Sequence, residues 1–76
     1  MASASIKGKR EEYPGKTDKE ICEIIAKNEA GIKTIVRYKQ FSGGEYTTFG
    51  LCYSDQDLQN YYDSPACQEV EVIFRR

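Results

Sequence analysis

Histidine and tryptophan are absent from this chain, methionine occurs once and proline twice. Without histidine the chain lacks the commonest general base near neutral pH and a frequent zinc ligand. Its three cysteines, Cys22, Cys52 and Cys67, stand far apart, with no CxxC pair. An odd number at such spacing argues against a zinc site and a disulfide framework, and predicts reduced, mostly buried thiols in a cytosolic protein. No apolar run approaches the roughly 20 residues needed to cross a bilayer. The opening MASASIKGKREEYPGK carries charge but no apolar core of a secretory signal. These features predict a cytoplasmic protein with no membrane span. An excess of one charge is missing too. A net charge of −1 gives no global field toward nucleic acid or an anionic membrane, so an electrostatic partner must meet a local patch.

What remains is a short chain of ordinary globular composition. Seventy-six residues, 39% hydrophobic and 30% charged, make one domain near the lower size limit for unaided folding. Residues 1–16 read as a polar, partly flexible segment whose large apolar side chains are Ile6 and Tyr13, with IKGKR as a candidate strand and YPGK as a turn. Residues 17–76 read as a single α+β domain. In TDKEICEIIAKNEAG, Thr17 and Glu20 have the spacing of a capping box. Ile21, Cys22, Ile24 and Ile25 share a helical face, and Gly31 stands where a C-terminal cap belongs.

The runs IKTIVRYKQF and YTTFGLCY are β-branched and aromatic, as strands are, with Gly43-Gly44 between them as a two-residue turn. That turn fixes the register. It sets Val36 opposite Leu51, Tyr38 opposite Phe49 and Thr34 opposite Tyr53 on a core face. Lys33, Ile35, Arg37, Lys39, Phe41, Tyr46, Thr48, Gly50 and Cys52 then fall on the other face. SDQDLQNYYDSP reads as a second helix, capped by Ser54 or Asp55 and closed by Pro65. QEVEVIFRR alternates as a strand with one buried face. The expected fold is therefore a small antiparallel sheet of three or four strands with two helices on one face. It is a ferredoxin-like βαββαβ arrangement if a strand forms near Ile6, and a truncated αββαβ version otherwise.

On the open face, Lys33, Arg37 and Lys39 lie beside Phe41 and Tyr46. Aromatic side chains interleaved with basic groups are how sheets bind single-stranded nucleic acid. The segment TTFGLCYSDQDLQNYYDS resembles the third strand and second helix of RNA-recognition-motif domains, with Phe49 and Gly50 matching the F-G of their signature. The resemblance implies an outward Phe49 and RNA binding on the open face. Leu51 occupies the place of that family's second aromatic. YPGKTDKEICEIIAKNEAGIKTIV is similar to the opening of potato-type serine-protease inhibitors, through Gly15, Lys16 and Thr17. That family's arginine-rich strand and proline-glycine ending are absent. Gly15-Lys16-Thr17 also ends like a phosphate-binding loop, but Arg10 stands where its first glycine is needed.

The paired acids Asp55/Asp57 and Glu69/Glu71 suit a helix start and the solvent face of an edge strand. Cys52, on the expected open face, is the thiol most available to react. No catalytic set, cofactor site or metal site emerges. The sequence thus predicts a non-enzymatic interaction module (an adaptor, inhibitor or regulator). It would bind a larger protein through Lys33, Arg37, Lys39, Phe41 and Tyr46, or by strand addition at an edge. The alternative is single-stranded RNA or DNA binding by the same residues.

Overall fold

The computed structural model describes residues 2–41 and 43–76. Met1, in the expected N-terminal segment, and Ser42, beside the expected turn, lie outside the described residues. In chain order the elements are β1 (Ala2–Ser5), α1 (Ile6–Glu12), α2 (Asp18–Asn28), β2 (Thr34–Lys39), β3 (Thr48–Cys52), α3 (Asp55–Asp63) and β4 (Gln68–Arg75). The chain is thus a small α+β protein with a four-stranded antiparallel sheet and three helices.

Each helix starts where a side chain can accept from the free backbone N–H groups of its first turn. Thr17 and Glu20 close the expected capping box: Thr17 Oγ1 accepts from Glu20 N at 3.2 Å, and Glu20 Oε1 accepts from Thr17 N at 3.0 Å. Ser54 Oγ accepts from Asp57 N at 3.2 Å, and Asp57 Oδ2 accepts from Tyr53 N at 3.0 Å. At α1, Ser5 Oγ accepts from Gly8 N. That helix occupies the IKGKR segment expected as a strand. Ile6 turns inward from it as a buried core residue. Helix α2 stops at Glu29, whose N–H donates to the Ile25 carbonyl, two residues before the Gly31 expected to cap it. Arg76 then locks that end: its guanidinium donates to the carbonyls of Ala26 at 2.7 Å and Ile32 at 2.8 Å.

The strand order is β1-β3-β2-β4. The ferredoxin-like arrangement needs its first strand in the interior of the sheet, but here β1 lies at one edge and β4 at the other. An interior strand made of Ala-Ser-Ala-Ser would bring almost no apolar surface to the core. At the edge it pairs only with β3, Ala2 opposite Leu51 and Ala4 opposite Phe49. The strand missing from the truncated version therefore exists, four residues earlier than expected.

Strands β2 and β3 pair one residue away from the expected register. Val36 faces Gly50, Arg37 faces Phe49 and Tyr38 faces Thr48. Gly43-Gly44 does not form a two-residue hairpin turn. Instead an eight-residue loop, 40–47, joins the strands. Gly44 N donates to the Phe41 carbonyl at 3.3 Å, and only Gly43 takes the left-handed φ of +80°. Because side chains alternate along a strand, the one-residue shift sends Tyr38 and Phe49 to opposite faces.

Both faces are covered, contrary to the expectation of helices on one side. On the first, Ile21, Cys22, Ile25 and Ala26 of α2, with Ile6 and Ile32, pack on Ile35, Phe49 and Leu51. On the second, Tyr61 and Leu58 of α3 pack on Val36 and Cys52, with Tyr38, Val70 and Val72 at the margin. The second contact depends on a glycine. A Cβ on Gly50 would lie 2.7 Å from the tip of the Tyr61 ring and 2.8 Å from Val36. Absence of that atom lets the ring lie on the strand, where the Tyr61 hydroxyl donates to the Ala2 carbonyl.

Candidate interaction surface

The five residues expected to form a surface are divided by this architecture. Strand β2 carries Arg37 and Lys39 at one end, and Lys33 just precedes the other. Six residues of extended chain separate Lys33 from Lys39, about 20 Å at 3.3 Å per residue. Tyr46 joins Arg37 and Lys39. The Arg37 guanidinium lies 4.4 Å from the centre of the Tyr46 ring and the Lys39 ammonium 5.1 Å from it, as cations sit on an aromatic face. Phe41 points away into solvent, 76% exposed and the most exposed large apolar side chain among the described residues.

Each basic residue meets an acid that the sequence reading did not connect to it. Lys33 Nζ is 2.9 Å from Asp55, and Lys39 Nζ is 2.8 Å from Glu69. Arg37 bridges Glu71 at 3.0 Å and Asp18 at 3.1 Å. Asp18 also receives both Nε and Nη2 of Arg10, at 2.9 and 2.8 Å. A chain of charges thus runs from α1 through the first turn of α2 to β2 and β4. Sequence offered part of this: Glu69 and Glu71 were read correctly as edge-strand acids. Nothing local showed that β4 would lie beside β2, or that α2 would begin above Arg37.

The charge chain sets the protonation of its members. The Arg10 guanidinium, with Arg37 next, holds the Asp18 carboxyl below the usual range against the cost of burial. Asp18 in turn raises Arg10, and Glu69 raises Lys39. Tyr46 is raised first by desolvation and then by Glu71 beside it. Burial pushes the Cys52 thiol up to about 11 and the Cys22 thiol up to about 12. Cys52 is fully buried, not outward on an open face, and at neutral pH it stays a protonated packing group. All three cysteines are free.

A cleft of about 500 Å³ opens between α1 and the 40–47 loop. Lys7, Arg10 and Glu11 line one wall, with Glu45, Tyr46 and Thr47 opposite. Its floor is tied by the Ile6 N–H, which donates to the Thr47 carbonyl at 3.0 Å. The cleft is not legible in the sequence, because it exists only once IKGKR forms α1 rather than the expected strand. Phe49, which the RNA-recognition-motif resemblance requires outward, is fully buried beneath α2. Among the described residues, no group of three or more His, Cys, Asp or Glu side chains is placed to hold a metal ion. No described helix is long and apolar enough to cross a membrane. Comparison with protein families, curated proteins and solved structures gave no match.

Proposed function

We propose that this chain is a non-enzymatic interaction module that binds a larger protein through its β2–β3 loop. The observation that carries the reading is Phe41. A phenylalanine 76% exposed keeps its apolar ring in water and gains nothing from folding, and a large aromatic at a loop tip suits the anchor of a protein contact. The half-buried platform of Arg37, Lys39 and Tyr46 at the base of the loop holds the flanking backbone, and the cleft beside α1 offers a partner a concave wall. Lys33 drops out of the surface because it lies at the far end of β2. Protein binding is favoured over single-stranded nucleic acid because the basic groups are already neutralised by Asp18, Asp55, Glu69 and Glu71.

Capture by the immobilised chain tests the reading. Wild type retains a specific protein from an extract of its host, and Phe41→Ala loses it while melting at the same temperature. Equal retention by the variant overturns the role of Phe41. A mixed single-stranded oligonucleotide at low salt leaves the protein's fluorescence unchanged. A salt-sensitive titration would turn the reading toward nucleic acid.

A further inference from the structure

The sheet has two open edges, and they are unlike. Strand β1 offers four small residues, whereas β4 offers eight, the longest strand in the fold. On β4, Ile73 and Phe74 lean toward the α2 side, Val70 and Val72 toward the α3 side, and all four are only half-buried. A long edge with apolar side chains on both faces is a template for another strand. We propose that β4 pairs antiparallel with β4 of a second copy of this chain, forming a two-fold dimer with a continuous eight-stranded sheet.

The charge order of the strand selects a copy of itself as the occupant. Acids occupy its first half, at Glu69 and Glu71, and cations its end, at Arg75 and Arg76. An antiparallel two-fold centred near Val72 sets the acidic half of each strand against the basic end of the other. Glu69 sits at a bulge with left-handed backbone, φ +51°, so it meets Arg75 of the second copy through the reach of the two long side chains rather than as a regular ladder pair, twice per dimer. Both groups are available. Lys39 occupies only Oε2 of Glu69, whose side chain is 57% exposed, and Arg75 is exposed with no ion pair among the described residues. A parallel alignment would set acid against acid and is rejected by the same pattern. The pairing of β4 with β2 is interrupted between Ile35 and Val36 and again between Arg37 and Lys39. These irregularities twist the strand and shorten the shared ladder, so the dimer is one that dissociates on dilution.

Sedimentation equilibrium of the full chain over a wide concentration range tests this directly. The expected mass rises from 8.7 kDa to twice that value. Either Glu69→Arg or Arg75→Glu alone weakens the dimer by on the order of tenfold, since the two-fold counts each repulsion twice. The double reversal restores it. Amide hydrogen exchange on the unaltered chain gives a second reading, with β4 amides slowing as concentration rises. A monomer at every concentration overturns the proposal. So does a dimer indifferent to both reversals, a double reversal that fails to restore it, or β4 exchange independent of concentration.

Discussion

The two faces of the sheet solve the same problem differently. Helix α2 brings a row of aliphatic side chains to Ile35, Phe49 and Leu51 and closes an apolar core. Helix α3 brings one large ring, Tyr61, and makes room for it by deleting a side chain at Gly50. The first face tolerates small losses because many groups share the burial. The second has fewer buried groups and centres on the fit between Tyr61 and Gly50. A chain this short supports only a few kcal/mol of net stability, and the two faces hold it by redundancy on one side and shape on the other.

Substitutions can break that contrast one face at a time. The largest effect is expected from Phe49→Ala, which empties the centre of the α2 face and costs about 3–5 kcal/mol. Chemical denaturation of the variant should show it largely unfolded. Gly50→Ala comes next. Its added methyl meets the Tyr61 ring at 2.7 Å and should cost about 1–3 kcal/mol through overpacking. Its signature is specific: Tyr61→Ala costs less in the Gly50→Ala background than in wild type. Additive losses would show that the ring and the glycine do not share one fit.

The charge chain supplies a smaller and pH-dependent effect. Asp18 has a depressed folded pKa, so in the acid range the unfolded chain binds the proton more readily than the folded one. Stability from this group is therefore fully present above the ordinary carboxylate value of about 4 and is lost as pH falls through the folded value. Asp18→Asn should lower the stability at neutral pH by about 1–2 kcal/mol and flatten the acid limb of the stability profile. A variant with an unaltered acid limb would assign that limb to other carboxylates. Phe41→Ala, by contrast, should shift the melting midpoint least of all, within the scatter of exposed substitutions.

Local chemistry was legible where local chemistry decides the structure. Thr17 and Glu20 announce α2, Ser54 and Pro65 bracket α3, and the alternation of Val70 and Val72 with acids marks β4. The rest depended on contacts distant in sequence. Ala-Ser-Ala-Ser has no strand propensity of its own, and becomes β1 because β3 offers an unpaired edge. Gly43-Gly44 fits a two-residue turn and so points to the neighbouring register of β2 and β3, while the connection is a longer loop in which, of the two glycines, only Gly43 takes a positive φ. That single step moved Cys52 from the surface to the interior and parted Tyr38 from Phe49. For the interaction surface, Phe41 was legible as an outward aromatic, but the acids that neutralise its basic neighbours were not, since β4 and α2 reach them only through the fold.

Cross-strand nuclear Overhauser contacts test most directly whether the sheet is covered on both faces with Phe41 left outside. Contacts of Val36 with Gly50, Tyr38 with Thr48, and the Tyr61 ring with Gly50 are the predicted result. Contacts of Val36 with Leu51 and Tyr38 with Phe49, with no Tyr61 contact to Gly50, would restore the one-sided sheet and contradict the two-sided cover.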